Sequence, residues 1–448
     1  MLSTIHPIQT IRQLLDTGAL DKTLSLLYGC SGNALVPYRA RIHKALDDFI
    51  RLYAQQHSDC KDYEAIGVQI FSVSGRTELG GNHTDHQHGS VLAAGVSLDI
   101  LAVAAPIDTN EIYLLSEDYA PERIALSDLD CRNEEQGTSA ALIRGTAARF
   151  AALGQPVGGF IAYMTSAVLK GSGLSSSAAF EVMIGTICND FSAQNRFSPT
   201  ELAMIAQYAE NVYFGKPCGL MDQMACALGG VVAIDFADPQ KPQFEQVTLD
   251  LTKEGYALCI IDTGGDHADL TDEYAAIPAE MKAIAKALGA DVLRDTDPAL
   301  FWSNLPKLRT ECGDRAVMRA IHFYADHARV SRQIQALKAQ RFDDYLSLVT
   351  ASGRSSVSAL QNIYACHKPQ QQAVSLTLAL CEQLLAGKGA YRVHGGGFAG
   401  TVQAYVPLED CAHFCKEMNA VLGENACHVL AVRAIGATAL LDCVASKE

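Results

Sequence analysis

Apolar positions recur with two different periods along this chain, and the period changes several times. Spacings of three and four residues place side chains on one face of a helix. They occur in the segments Ala40–Tyr53, Thr138–Leu153, Ala275–Leu288, Arg315–Lys338 and Pro369–Leu385. Alternating or unbroken apolar runs are typical of strands, and they occupy Ile66–Ser74, Val91–Ile100, Val231–Asp235, Tyr256–Asp262 and Thr401–Val406. The pattern predicts helices and strands mixed along most of the chain.

Residues 1–62 carry helical periodicity and no strand pattern. Ile11, Leu14 and Leu15 suit one amphipathic helix, and Ile42 and Leu46 suit another. We interpret this segment as a helical N-terminal extension that packs on the rest of the chain. A domain boundary is expected near residue 250, which gives an N-terminal domain over 63–250 and a C-terminal α+β domain over 251–448.

A glycine-rich stretch precedes one apolar helical pattern, with the sequence G-S-G-L-S-S-S from Gly171 to Ser177. Glycines let the backbone approach phosphate oxygens, and the first N–H groups of a helix have no partner within it. The stretch therefore predicts an anion site, with an ordinary N-cap behind a flexible loop as the alternative. It is not the Walker-A pattern, because G-x-x-x-x-G-K-[S/T] does not occur in the chain.

Composition limits the classes of partner. The chain has 448 residues, of which 49% are hydrophobic and 19% charged, enough for two domains with cores. Its formal net charge of -15 disfavours nucleic acid and anionic membranes as partners. The 14 cysteines are scattered, the N-terminus lacks the pattern of a signal peptide, and no apolar run is long enough to span a bilayer. A cytoplasmic protein with reduced thiols is expected.

A polar segment, Gly75–Gly89, lies between two apolar strand patterns and is predicted to be a loop. Loops of this kind present ligand-binding groups on a rigid scaffold. Four side chains, His83, Asp85, His86 and His88, could bind a metal ion, but loop spacing alone fixes no coordination geometry. A sugar site is the preferred interpretation, since acids, amides and imidazoles bond hydroxyl groups.

Two further motifs occur near the C-terminus. Gly395, Gly397 and Gly400 satisfy G-x-G-x-x-G, yet an alternating segment follows them, so we predict strand–turn–strand rather than a dinucleotide site. The C-x-H-x-C pattern formed by Cys411, His413 and Cys415 lacks a fourth ligand for zinc. We interpret these three as ordinary helical residues.

The polar segment resembles the galactokinase signature G-R-x-N-L-I-G-E-H-T-D-Y-x-x-G. The shared residues are Gly75, Arg76, Leu79, Gly81, His83, Thr84, Asp85 and Gly89. The chain departs from the signature where Glu78 replaces Asn, Gly80 replaces Ile, Asn82 replaces Glu and His86 replaces Tyr. The sequence around Glu210 and G-K-P-C-G-L-M-D-Q is similar to a second galactokinase run. The glycine-rich stretch from Gly171 to Ser177, here called the phosphate loop, resembles a motif shared with homoserine, mevalonate and phosphomevalonate kinases. The run Y-R-V-H-G-G-G-F-A-G-T resembles a second motif of the same kinases.

This resemblance covers the chain from about Val68 onward and implies a two-domain α+β kinase fold, with the active site in the cleft between the domains. It implies ATP and Mg²⁺ as cofactors and a small-molecule sugar as substrate. The implied catalytic residues are Asp222, as general base, and Arg76. The implied sugar-binding residues are Asn82, His83, Thr84, Asp85, Gly219 and Tyr274. The implied ATP-binding residues are Gly171, Ser172, Gly173, Leu174, Ser175, Ser176 and Ser177, with Ser177 and Glu210 as metal ligands.

Phosphorylation of the anomeric hydroxyl of galactose is the activity that the resemblance implies first. Galacturonate or a related sugar is the alternative, because Asn82 lacks the charge of the family's Glu and an imidazolium at His86 could favour an acid. An alternative of another class is a sugar-sensing regulator without activity. The intact G-S-G-L-S-S-S loop argues against that regulator.

Overall fold

A computed structural model describes residues 4–168, 173–265 and 270–442. Numbered in chain order, the strands are β1 (His6–Pro7), β2 (Gly67–Gly80), β3 (Ser90–Pro106), β4 (Glu111–Ser116), β5 (Glu122–Ala125), β6 (Phe160–Ser166), β7 (Val231–Asp235), β8 (Gln243–Val247), β9 (Tyr256–Asp262), β10 (Ala390–His394), β11 (Thr401–Pro407), β12 (Cys427–Leu430) and β13 (Thr438–Ala439).

The helices are α1 (Ile8–Asp16), α2 (Asp21–Tyr28), α3 (Val36–Gln56), α4 (Ser139–Ala152), α5 (Ser176–Ala193), α6 (Pro199–Tyr208), α7 (Met221–Leu228), α8 (Thr271–Ala287), α9 (Pro298–Ser303), α10 (Leu305–Cys312), α11 (Asp314–Lys338), α12 (Phe342–Ser355), α13 (Ala373–Leu385) and α14 (Leu408–Leu422). Within the described ranges, no helix combines the length and the apolar character that a bilayer crossing requires. The predicted mixture of helices and strands is confirmed.

The strands form a large sheet and a small one. The 9-stranded sheet has the order β1-β2-β3-β6-β4-β5, with β13 added on β2, and β7 and β8 added beside β3. The 4-stranded sheet has the order β10-β11-β9-β12, and each of its pairs is antiparallel. Together the two sheets and their helices make the α+β, two-domain kinase fold.

The large sheet is covered on both faces, as its period-2 pattern requires. Val68 and Ile70 of β2 face the apolar side of α1, α2 and α3. Phe71 and Val73 of the same strand pack on the other face, against α4 to α7. Residues 4–56 therefore form a packing layer on the sheet.

One sequence-based boundary was wrong. The segment from Gly75 to Gly80 was expected to belong to a loop, but it forms the end of β2. The pairing of β2 with β3 shifts register twice, between Ser74 and Arg76 and between Glu78 and Gly80. These bulges bend and twist the strand and re-aim its side chains. The true loop begins at Gly81.

The chain returns to the large sheet after the small one is complete. The small sheet begins at β9, close to the expected boundary, but β13 pairs with β2 and Val432 bridges Val96. Arg433 is fully buried and donates to the hydroxyl of Ser72 over 2.7 Å. The predicted domain limits stay a prediction, to which the structure adds a C-terminal segment packed on the N-terminal sheet.

Candidate active site

Three segments far apart in sequence meet where β2 ends. The N–H of Arg76 donates to the carbonyl of Leu174 over 3.0 Å, and the Arg76 guanidinium donates to the carbonyl of Gly173. A Cβ at Gly173, where φ is +68°, would lie 2.9 Å from Thr401 Oγ1 and 3.1 Å from His394 Nδ1. The start of the polar segment, the phosphate loop and the strands on either side of the C-terminal glycine turn are therefore in direct contact.

Asp222 lies at the centre of this meeting point, in the first turn of α7. Arg76 Nε donates to Asp222 Oδ1 over 2.7 Å, and the hydroxyl of Ser175 donates to Oδ2. Burial alone would raise the pKa of Asp222, but the Arg76 charge and the two hydrogen bonds outweigh it and lower the pKa. The carboxylate is therefore ionised at neutral pH, and a third of its side chain, 33%, stays exposed.

The phosphate loop continues directly into α5. Ser175 adopts a left-handed conformation with φ of +56°, which is uncommon outside glycine, and turns its hydroxyl toward Asp222. Ser176 and Ser177 form the first turn of α5, with Leu174 buried behind them. Gly171 and Ser172 lie outside the described residues.

Glu210 lies in a π-helical turn, Ala209–Phe214, directly after α6. Its carboxylate accepts from Gln223 over 2.8 Å and pairs with Lys216 over 3.2 Å. The same Gln223 amide donates to Glu181 over 3.2 Å. Burial, reinforced by the charge of Glu210, holds the pKa of Glu181 well above its usual range. Ser177 and Glu181 are four residues apart on α5, so they share the helix face that Glu210 approaches.

Among the residues that the structure describes, Glu181 Oε1 and Gln223 Oε1 are buried without a hydrogen-bond donor. A buried acceptor without a donor is costly unless a cation or water satisfies it. Glu181 and Glu210 both accept from the Gln223 amide, and Glu181 Oε1 is left over beside them. This donor set fits a hard divalent cation such as Mg²⁺, which prefers oxygen ligands.

His83 and Asp85 lie in the loop after β2, and both are partly exposed. His83 adopts φ of +59°, and its Nε2 donates to the carbonyl of Gly396 over 3.1 Å. Burial, with the neighbouring His86, lowers the pKa of His83 to about 3, so the ring is neutral. With Nε2 protonated, Nδ1 is left as an acceptor.

Gly219 gives Asp85 the room it occupies. A Cβ at Gly219 would lie 2.0 Å from Asp85 Oδ2, closer than any van der Waals contact allows. Tyr274 lies on the opposite side, where its hydroxyl donates to the carbonyl of Gly397 over 2.9 Å. Its ring also covers Gly396, whose Cβ position is 2.8 Å from Tyr274 Cε1. The structure therefore brings Asp85 to Gly219, and His83 and Tyr274 to the glycine turn.

Asn82 and Thr84 differ from expectation, since neither side chain reaches the cleft. Both are fully buried. The Asn82 amide donates to Glu78 over 3.1 Å and to the Gly395 carbonyl over 2.8 Å, and it accepts from Asn362 over 2.9 Å. The Thr84 hydroxyl donates to the main chain of its own loop. Neither side chain has a surface open to a ligand in this structure, and direct sugar binding by the two stays a prediction.

The exchange of Glu and Asn within the signature has a structural explanation. Glu78 stands where the family has Asn, and Asn82 where it has Glu. The Glu78 carboxylate accepts from Asn82 and forms a buried ion pair with Arg392 of β10. The carboxylate therefore lies four residues earlier in the chain than in the signature. Its ion pair with Arg392 links β2 to the C-terminal motif.

Several residues of the site were missed by sequence reasoning. His394 accepts from the N–H of Glu78 over 3.2 Å and bonds Thr401 over 2.9 Å, so it connects β2, β10 and β11. Glu181 is an acidic residue between apolar neighbours in the first half of α5, which was a usable signal. Lys216 belongs to the G-K-P-C-G run but had no assigned role. The position of the Ser175 hydroxyl could not be read from the sequence.

Comparison with known proteins gives the same family throughout. Residues 60–106 match the galactokinase galactose-binding signature, and residues 141–230 match the GHMP kinases N terminal domain. A galactokinase of Streptomyces coelicolor is 30% identical over 342 residues, covering 76% of this chain and 84% of that protein. A galactokinase of Actinobacillus pleuropneumoniae serotype 3 is 28% identical over 370 residues, covering 81% and 91%.

Solved structures share the fold. Lactococcus lactis galactokinase complexed with galactose superposes with a TM-score of 0.73 at 22% identity, over 88% of this chain and 99% of that one. Methanococcus jannaschii mevalonate kinase gives 0.57 at 15% identity, over 81% and 98%. The sequence relatives, the two family matches and the shared fold agree, and the chain belongs to the galactokinase family of the GHMP kinases.

Proposed function

We propose that this chain transfers the γ-phosphoryl group of ATP to the anomeric hydroxyl of galactose, giving galactose 1-phosphate and ADP. The observation that carries the proposal is the contact of Asp222 with both Arg76 and Ser175, at the point where the phosphate loop meets the polar segment. The support is an ionised carboxylate beside the glycine-rich stretch that we propose to bind phosphate, in a chain of a sugar-kinase family.

Asp222 acts as the general base in this proposal. Its Oδ atoms accept from Arg76 and Ser175, and a sugar hydroxyl within hydrogen-bond reach would give its proton to the same carboxylate. Arg76 keeps the carboxylate ionised and presents positive charge to the transferring phosphoryl group. Phosphoryl transfer needs mainly positioning and neutralisation of charge, and these residues supply both.

The N-terminus of α5 holds the phosphates of ATP. The N–H groups of its first turn point toward the loop and favour negative charge. Gly173 brings the backbone close to the site, and the hydroxyls of Ser176 and Ser177 are available at the helix start. Gly171 and Ser172 belong to the same proposed ATP site by their place in the motif.

Ser177 and Glu210 are the proposed ligands of Mg²⁺, with the buried Glu181, which shares the Gln223 amide with Glu210, as a further proposed oxygen ligand. An ion held there would supply positive charge against the negative charge that develops during phosphoryl transfer. Lys216 offsets part of the negative charge around Glu210. Support for the metal role comes from the spare buried oxygens of Glu181 and Gln223.

Galactose is the proposed sugar, with Asp85 and His83 bonding its hydroxyls. The Asp85 carboxylate and the neutral His83 Nδ1 both accept, so they suit hydroxyl donors. Tyr274 and Gly219 shape the two sides of the site. Galacturonate is not favoured, because its case rested on Asn82 facing the sugar, and that side chain is buried. A silent regulator is not favoured either, since Asp222 and Arg76 are paired as catalysis requires.

A panel of sugars in an ADP-release assay tests the proposal. Galactose should drive ADP release with the parent chain and not with Asp222→Asn, while galacturonate and glucose should be much poorer substrates. ADP release with no sugar in the panel, or equal release by the Asp222→Asn variant, would reject it. A cytoplasmic setting stays a prediction.

A further inference from the structure

Four cysteines from three segments converge in the C-terminal part of the chain. Cys259 lies on β9, Cys427 begins β12, and Cys411 and Cys415 lie on α14. The sulfur atoms of Cys259, Cys415 and Cys427 all lie within 4.8 Å of one another. The Cys259 thiol contacts those of Cys411, Cys415 and Cys427. None of these residues belongs to the proposed kinase site.

The backbone explains why the four thiols meet. Cys427 pairs with Ile261, so Cys427 and Cys259 lie on the same face of the small sheet. Cys411 and Cys415 are four residues apart and share one face of α14, which packs on that sheet. Asn419 of α14 accepts from the N–H of Cys427 over 2.8 Å and fixes the helix against β12.

The distances suit a tetrahedral metal. A zinc–sulfur bond of about 2.3 Å separates tetrahedral sulfur ligands by roughly 3.8 Å. Cys415 Sγ and Cys427 Sγ are 3.4 Å apart, and the three-cysteine group fits within 4.8 Å. These three thiols therefore need little adjustment to surround one ion, and Cys411, one helical turn before Cys415 on α14, is placed to supply a fourth thiolate. His413, which the sequence pattern includes, points to solvent with 68% of its side chain exposed.

We propose that Cys259, Cys411, Cys415 and Cys427 bind one structural zinc ion. Four thiolates are the ligand set of closed, structural zinc sites, and they leave no open position for catalysis. The ion would clip α14 to β9 and β12. The cluster lies on the face of the small sheet that carries Val402 and Ala404, opposite the face with Thr401 and Gln403 that borders the kinase site. Metal loss should therefore lower stability more than it alters the chemistry.

A disulfide between Cys415 and Cys427 is the competing use of the cluster. Its bond would require the two sulfur atoms to approach to about 2.05 Å. It would involve only two of the four sulfur atoms and would leave Cys259 and Cys411 without a role. Convergence of all four favours the metal.

The test measures metal content and thiol reactivity of the reduced full-length chain. Zinc per chain is determined after reconstitution and removal of excess ion, and Co²⁺ substitution reports tetrahedral thiolate ligation by its charge-transfer absorption. The parent and the control variant Cys366→Ser should each bind one ion, since Cys366 is exposed and outside the cluster. Cys427→Ser should bind with affinity weaker by at least about 10- to 100-fold, the loss caused even by changing a supporting residue.

Two outcomes would overturn the proposal. One is a parent chain that binds no zinc and whose four thiols react equally fast with and without Zn²⁺. The other is a Cys415–Cys427 disulfide in the chain isolated without reductant, two hydrogens lighter by mass spectrometry. If Cys427→Ser fails to fold, Cys411→Ser at the less buried edge replaces it, and the zinc protection of the parent thiols decides the question by itself.

Discussion

Replacing Arg76 by methionine should move the acid limb of the rate profile to higher pH. Asp222 can accept a proton only when ionised, so activity falls as pH drops through its pKa. In the parent, Arg76 at 2.7 Å lowers the pKa of Asp222 below its usual range despite burial. An adjacent opposite charge is worth about 1–3 pKa units, and each unit is about 1.4 kcal/mol. In Arg76→Met, Asp222 stays buried but loses the adjacent positive charge. Its pKa, and with it the acid limb, should therefore rise by about 1–3 pH units.

The assay is kcat/KM for galactose at saturating ATP across the pH range in which the variant stays folded. Arg309→Met is the matched control, because Arg309 forms an exposed ion pair with Asp314 far from the site. Arg76→Met also removes positive charge from the transferring phosphoryl group. That loss should lower kcat/KM by the same factor at every pH, and it does not move the acid limb. A uniform loss with an unmoved limb would refute the claim that Arg76 sets the ionisation of Asp222.

Four further predictions follow from the same geometry. Asp222→Asn should lower kcat by roughly 100- to 10,000-fold with ATP binding intact by calorimetry; a near-parent kcat would remove the base assignment. Gly219→Ala should push Asp85 aside and lower kcat/KM for the sugar by up to about 100-fold, without changing KM for ATP. Glu210→Ala should raise the Mg²⁺ concentration needed for half-maximal rate, and an overlaying titration would contradict the metal role. Asn82→Glu should destabilise the fold by about 1–3 kcal/mol or more in denaturant melts, since it buries a second carboxylate beside Glu78, and Glu78→Asn on that background should recover part of the loss.

The sequence indicated much of the fold, because its elements have strong periodic patterns. The strand Tyr256–Asp262 appears with the predicted bounds, and the helical pattern over Thr138–Leu153 forms α4, Ser139–Ala152. The glycine motif at Gly395 is strand–turn–strand, as the alternating segment after it indicated. Local patterns of this kind survive tertiary packing.

The features that the sequence did not predict have a common physical cause, because they depend on contacts between distant parts of the chain. Asn82 occupies a signature position, yet its side chain is buried. It follows the bulged end of β2 and bonds Glu78, which forms an ion pair with Arg392. The convergence of Cys415 with Cys259 joins residues that are far apart in the chain. No local pattern encodes the register between β9 and β12 that brings such residues together.

Phosphorus NMR of the product is the most direct test of the proposed reaction. The chain is incubated with ATP, Mg²⁺ and galactose, and the coupling of the new phosphate signal to sugar protons identifies the phosphorylated atom. Galactose 1-phosphate is the expected product, formed by the parent chain and absent with Asp222→Asn. Phosphate on another hydroxyl, or no phosphosugar from galactose while another sugar is phosphorylated, would contradict the proposal.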